Sequence, residues 1–172
     1  MATDVLIRPM QLADVPLAET LSADSYFAVD EERWTAHLPA PTRRSPARAS
    51  VWIARTAHFL QTDPGGCWVA SRGGRMVGFV VSYRREMSWF LASYAVLPSL
   101  RGSAIGRPLL EAALGHSVGC LRGMLAASDD PRAFRRYVAA GFVMHPQMAF
   151  HGVVARSALP AGSHVREGTP AD

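Results

Sequence analysis

The sequence predicts a mixed α/β fold, with antiparallel strands first, then a crossover unit, and helices on both faces of one sheet. Three observations carry this. The segments read in the order strand, helix, helix, three strands, helix, strand, helix, and a terminal pair of extended segments. Gly73-Gly74 sits between two apolar runs, which is a two-residue hairpin signal. The strand "RGMLAAS" follows a long helix and leads into another, as a crossover requires. A chain of 172 residues with 49% hydrophobic residues suffices for one domain with its own core.

Each element has a local reason. "DVLIRP" is a short strand stopped by Pro9. "QLADVPLAETL" reads as a helix with Asp14 as N-cap, Pro16 in the first turn, and Leu17 and Leu21 on one face. Asp30 to Arg48 has poor periodicity and three prolines, Pro39, Pro41 and Pro46, and reads as an irregular connection. "ASVWIARTAHFLQTD" regains helical spacing through Ile53, Ala57 and Leu60 and ends at "PGG". "CWVASR", "RMVGFVVSYRR" and "MSWFLASYAVL" are the three strands. A helix from about Ala104, the strand "RGMLAAS", the helix "PRAFRRYVAA" and extended segments within "GFVMHPQMAFHGVVAR" complete the order.

Charge and composition narrow the function. The net charge is +4, and all 18 basic residues are arginine. The arginines are scattered, with short clusters at Arg43-Arg44, Arg84-Arg85 and Arg135-Arg136. No basic stripe interleaves with aromatics, so no nucleic-acid partner is expected. A positive field still favours an anionic ligand. Cys67 and Cys120 lack metal or redox spacing, and no pair among the six histidines has zinc-ligand spacing, so no metal is expected. No apolar run approaches membrane-spanning length, and "MATDVLIRPM" lacks a signal-peptide pattern. The expectation is a cytoplasmic protein with no membrane partner.

The most informative stretch is "SYAVLPSLRGSAIGRPLLEAAL", Ser93 to Leu114. An apolar strand breaks at Pro98 and places Arg101, Gly102, Gly106 and Arg107 ahead of an apolar helix. The first N–H groups of a helix have no intrahelical partner, and the helix dipole adds partial positive charge there. With glycines that admit a close backbone and arginines that neutralise charge, this is a cradle for a pyrophosphate. The same residues also suit a flexible turn with arginines in water.

Val96-Leu97-Pro98 followed by Arg101-Gly102-Ser103-Ala104-Ile105-Gly106 resembles the acetyl-CoA loop of the GNAT N-acetyltransferase family, with Ala104 where glycine is usual. "DPRAFRRYVAAGF" is similar to that family's second signature through Asp130, Ala133, Tyr137, Gly141 and Phe142, with Asp130 in place of asparagine. The resemblance runs from the first strand to about Arg156. It implies a GNAT-like domain over 1–156, with splayed fourth and fifth strands, and a tail or linker over 157–172. It further implies that acetyl-CoA is the donor and that a small amine or peptide amine accepts the acetyl group. The pantetheine arm would bond the backbone near Val96 and Leu97. The pyrophosphate would lie on Arg101, Gly102, Ser103, Ala104, Ile105 and Gly106, with Arg107 and Asp130 adding contacts. Tyr137 falls at the place of the family's general acid, although its ring also suits packing on the sheet.

The family's glutamate on the fourth strand has no counterpart, since the matching position is Phe90. Strand alternation would put Ser88, Phe90, Ala92 and Tyr94 on one face, leaving Tyr94 or Ser88 to hold a water or merely to fill the strand. Glu86 reads as a solvated charge. His145 and His151 lie near where such an acceptor site forms but read as surface or hydrogen-bonded residues. The irregular segment would line the acceptor site, with Tyr26, Phe27 and Trp34 as aromatic walls. Finally, "HVREGTPAD" echoes "LIRPMQLAD". The echo is either a coincidental tail or the start of a second GNAT-like unit, so a homodimer or a tandem unit are both open as partners. The departures at Ala104 and Phe90 leave an alternative, a non-catalytic GNAT-like module that binds acyl-CoA or another small ligand.

Overall fold

The structure, a computed structural model, describes residues 5–37, 39–128, 130–147, 153, 155–158 and 166–169. Five strands form one sheet in sequence order: β1 (Val5–Pro9), β2 (Cys67–Arg72), β3 (Arg75–Arg85), β4 (Ser88–Val96) and β5 (Arg122–Leu125). The first four pair antiparallel, and β5 lies parallel to β4. The helices are α1 (Val15–Arg33), α2 (Pro46–Thr62), α3 (Gly106–Gly115) and α4 (Pro131–Ala139). The mixed sheet expected from element order is present.

Two short turns set the strand register. Gly73 and Gly74 both have positive φ, +57° and +77°, as a primed hairpin turn requires, and Arg72 stands opposite Arg75. Glu86 and Met87 close the next hairpin, with Arg85 opposite Ser88 and Glu86 exposed at φ 52°.

The sheet then buries both faces. Val15, Ala18 and Leu21 of α1 and Trp52 of α2 pack on Val69, Phe79, Val81 and Ala95. Trp52 meets Phe79 edge-on, with centroids 5.7 Å apart. On the opposite face Ile105, Leu109 and Ala113 pack on Ala70, Val77, Val80 and Trp89.

Local expectations needed correction at α1. The helix runs on to Arg33 because its buried stripe continues through Ser22, Ser25 and Val29. The serines carry the helical spacing without being apolar. The irregular connection therefore shrinks to 34–45, and α2 opens at Pro46 with Ser45 Oγ accepting the Arg48 N–H at 3.4 Å. Asp14 does not cap α1 with its side chain. Its carboxylate accepts the Gln11 N–H at 2.7 Å and takes both Arg8 nitrogens at 2.7 and 2.8 Å. Leu17 is 58% exposed while Leu21 is buried, so the two do not share a core contact.

The chain divides into two compact units, Met1–Phe142 and Val143–Asp172, so the boundary expected at 156 falls within the second. Among the described residues no strand follows β5. The expected terminal strand pair lies partly outside the described residues, as does His151, and so does most of the terminal echo. His145 is described and exposed.

Asp63, at the end of α2, ties this layer to β3. It is 5% exposed. Its carboxylate accepts from Thr62 Oγ1 at 2.6 Å, the Arg84 N–H at 2.8 Å and Arg85 Nη1 at 2.9 Å, and faces His116 Nε2 at 3.5 Å. Burial pushes its pKa up, but these hydrogen bonds outweigh burial and bring it down to about 2. An unfolded aspartate titrates near about 4, so the difference corresponds to about 2.5 kcal/mol. That stability is present above pH 4 and is lost as pH falls through about 2. Asp63→Asn is expected to cost about 2–3 kcal/mol in urea titrations at neutral pH. The gap between the two proteins should close as pH drops across that window. A constant gap would show that the charge is not what Asp63 contributes.

Candidate active site

A one-residue bulge opens the sheet. Val81 stands opposite Ser93 and Ser82 opposite Leu91, which leaves Ala92 of β4 unpaired. The bulge resets the side-chain alternation, and the expected common face of Phe90, Ala92 and Tyr94 is therefore wrong. Phe90 stacks at 5.0 Å on Tyr83, which stacks at 4.6 Å on Phe59 of α2. Ala92 also packs on the core beneath α1 and α2. Tyr94 packs with the opposite core, beneath α3.

β5 pairs with β4 only along Ser88 to Leu91. From Ala92 to Val96 that side of β4 is open, as the resemblance implied. A cleft of about 680 Å³ fills the gap. Tyr94, Ala95 and Val96 line one wall and Ala126, Ala127 and Ser128 the other, with Ser25, Tyr26 and Val29 contributed by α1. Strand geometry turns the peptide groups of alternate residues into this gap. The Leu97 N–H bonds the Val77 carbonyl at 2.9 Å, so the groups of Val96 face away from β3. The Val96 carbonyl accepts from Ser25 Oγ at 3.4 Å, and the Tyr94 N–H meets the Tyr26 hydroxyl.

The loop before α3 forms one end of the cleft. Pro98–Leu100 is a single 3-10 turn, and Gly102 follows at φ 86°. Ala104 has φ 62°, the left-handed conformation that explains why glycine suits this position. Ala104→Gly is expected to raise stability by about 1 kcal/mol, read as a higher Tm. A lowered Tm would contradict the left-handed backbone. Ile105 is buried under the loop, and Gly106 opens α3 against the cleft.

Most of the residues singled out from the sequence come together here. Val96, Arg101, Gly102, Ala104, Ile105, Gly106, Arg107, Asp130, Tyr94 and Tyr137 all line the cleft. Leu97 and Ser103 do not line it: Leu97 packs into the core, and Ser103 Oγ bonds the Leu100 carbonyl. Three of the charged residues are already partnered. Arg101 Nη2 donates to the Ser25 carbonyl at 2.8 Å. Arg107 pairs with Glu111 at 2.8 Å. Asp130 caps α4 by accepting the Arg132 N–H at 2.9 Å. Ser88 sits at the hairpin end of β4, opposite Arg85 and Arg122, and is not a cleft residue.

Three tyrosines meet within the cleft. Tyr137 is 9% exposed, and its ring lies 6.4 Å from that of Tyr94. Burial, then the nearby Tyr26 and Tyr94, raise its pKa well above the ordinary tyrosine value. Tyr94 is pushed up to about 12 by burial, against the pull of the Arg136 guanidinium that donates to it. Tyr26 is 43% exposed overall, but its hydroxyl end is shielded where it bonds the Ser93 side chain, and that shielding raises its pKa. All three keep their protons at neutral pH.

Of the expected aromatic walls, only Tyr26 lines the cleft. Phe27 instead lies under the Arg43 guanidinium at 4.5 Å, and Trp34 caps the end of α1. Ser93, Ser25 and Arg136 were missed. Ser93 is buried beside the cleft rather than in its lining, and the bulge, which no local pattern announces, sets it against the Tyr26 hydroxyl.

The sequence matches the acetyltransferase (GNAT) family over residues 26–142, a span that includes both walls of the cleft. The chain belongs to that family, and its reaction moves an acetyl group from acetyl-CoA to an amine. It is 29% identical over 144 residues to the L-2,4-diaminobutyric acid acetyltransferase of Nocardia farcinica, covering 72% of this chain and 73% of that protein. Two solved structures have a similar fold. One is the diaminobutyrate acetyltransferase EctA of Paenibacillus lautus with L-2,4-diaminobutyric acid and coenzyme A, at TM-score 0.59 and 19% identity, over 81% of this chain and 75% of that one. The other is the PaiA N-acetyltransferase of Thermoplasma acidophilum with coenzyme A, at TM-score 0.64 and 16% identity, over 84% and 93%. Among the described residues no helix is long and apolar enough to cross a membrane, and no group of three acidic, histidine or cysteine side chains is placed to hold a metal.

Proposed function

We propose that the acceptor is a small primary amine that also carries a carboxylate, and that the open edge of β4 holds the pantetheine arm of acetyl-CoA. The open edge is the observation that carries the second half of this reading. A narrow gap with peptide groups facing inward suits a thin chain that itself contains two amides. The first half rests on the charge around Tyr26. Arg44, which pairs with Glu19 at 2.8 Å, and Arg55 both act electrostatically on its hydroxyl from outside the cleft lining, a weak positive bias that suits an anionic group beside the reacting amine. The relatives named for diaminobutyric acid support the same class of acceptor.

In this reading the neutral amine attacks the thioester carbon, and a C–N bond forms as the carbonyl π pair moves to oxygen. The nitrogen then loses a proton to water, the oxygen lone pair re-forms the carbonyl, and the C–S bond breaks. Tyr137 donates its hydrogen bond to the departing sulfur. The Tyr26–Ser93 pair, which sits at the bulge, holds the water that removes the amine proton. This replaces the carboxylate that β4 lacks. Positioning of the two reactants supplies much of the remaining rate.

The test is release of free thiol from acetyl-CoA with matched amines. Diamino acids should turn over faster than diamines of equal length that lack the carboxylate. Faster turnover of the plain diamines would reject the carboxylate. Coenzyme A binding without thiol release from any amine would favour a non-catalytic binding module.

A further inference from the structure

We propose that Arg136 is the residue that contacts the diphosphate of the bound donor, and that Tyr94 positions it for that task. The inference rests on the cleft holding coenzyme A, as proposed above. Arg136 reaches from α4 across the cleft to the mouth of α3. A β-carbon added at Gly106 would overlap the Tyr94 hydroxyl and the Arg136 guanidinium, and would lie 2.7 Å from Arg136 Cζ. Gly106 is the first residue of α3, so the guanidinium lies against the positive end of a helix.

That is an unfavourable place for a cation unless an anion joins it. Three other arginines of the cleft have oxygen partners: Arg101 bonds the Ser25 carbonyl, Arg107 pairs with Glu111, and Arg132 pairs with Asp130 and Glu32, while Arg135 stands exposed in water. Among the described residues no carboxylate pairs with Arg136. It is half-buried, and its partner is the neutral Tyr94 hydroxyl. A partly buried charge with no counter-ion is costly. Guanidinium offers five N–H donors in a planar fork, so one can stay on Tyr94 Oη while others meet phosphate oxygens. Tyr94 stands on β4, where the strand holds its ring, and it fixes the fork in direction. The glycine at 106 leaves room for both groups.

Calorimetry with coenzyme A and with pantetheine, which lacks the diphosphate, tests this. Arg136→Ala should weaken coenzyme A about 10- to 100-fold, since hydrogen bonds to charged groups are of that strength. It should leave pantetheine unchanged and flatten the salt dependence of coenzyme A binding. Arg136→Lys should recover part of the loss. Tyr94→Phe should weaken coenzyme A less, again without affecting pantetheine. Equal weakening of both ligands would make Arg136 a structural residue and overturn the proposal. Unchanged coenzyme A affinity in a folded Arg136→Ala protein would do the same. If alanine prevents folding, Arg136→Gln, which keeps the stem and some donors, decides in its place. A wild-type protein that binds no coenzyme A would instead remove the reading of the cleft itself.

Discussion

Replacing Gly106 with glutamate is expected to leave no measurable coenzyme A binding in calorimetry. Even a β-carbon at this position overlaps Tyr94 and Arg136, so the side chain must displace both. The carboxylate would then face the diphosphate at the helix mouth, where like charges cost several kcal/mol. Together these effects amount to a loss of more than about 100-fold. Gly106→Ala makes the steric part separately visible and should cost less. Both proteins should melt cooperatively, because the clash is resolved toward the open cleft. Retained affinity in folded Gly106→Glu would mean that the phosphates do not lie at the start of α3. Arg101→Ala should have a smaller effect, because its guanidinium is engaged with the Ser25 carbonyl.

Tyr137→Phe is expected to lower turnover while acetyl-CoA affinity stays nearly intact. The substitution removes one hydroxyl from a buried ring whose packing on Phe142 and beside Tyr94 is retained. Groups that assist proton transfer in the transition state are typically worth about 10²–10⁴-fold. The pH profile adds a second readout. Most alkyl amines are protonated at neutral pH, so the rate should climb as the acceptor loses its proton. The active form of Tyr137 is protonated, and its pKa is raised, so no falling limb should appear below the ordinary tyrosine range. Full turnover in Tyr137→Phe would show that the thiolate leaves without this donor. A separate inflection in the ordinary carboxylate range would point to a carboxylate base, such as Asp130 or Glu111 of the lining, which the present reading does not use.

Much of the site was legible along the chain because it is local. The loop from Arg101 to Gly106 and the helix that follows are contiguous, and helix starts have residue preferences that a short window displays. The Gly73-Gly74 hairpin is legible for the same reason. Asp130 caps the helix that carries Tyr137, so their common presence in the cleft followed from that helix facing it. The length of α1 was less legible, because Ser22 and Ser25 carry its buried stripe and apolar periodicity does not register them.

What the sequence by itself determined is the order of elements, the glycine and arginine loop ahead of α3 and the tyrosine on α4 that lines the same cleft. The tertiary structure decided the rest. Alternation along a strand has period two, so the one unpaired residue at Ala92 turns Tyr94 to the opposite face from Phe90. That bulge exists only through the pairing of β4 with β3. The arginines tell the same story. In the sequence Arg101 and Arg107 are the cations beside the glycine loop, and Arg136 is one of an Arg135-Arg136 pair further along the chain. Folding gives Arg101 the Ser25 carbonyl and Arg107 the Glu111 carboxylate, and it leaves Arg136 on a neutral hydroxyl. Which arginine rests on a neutral hydroxyl is thus selected by contacts between segments far apart in the chain, which no local pattern of residues encodes.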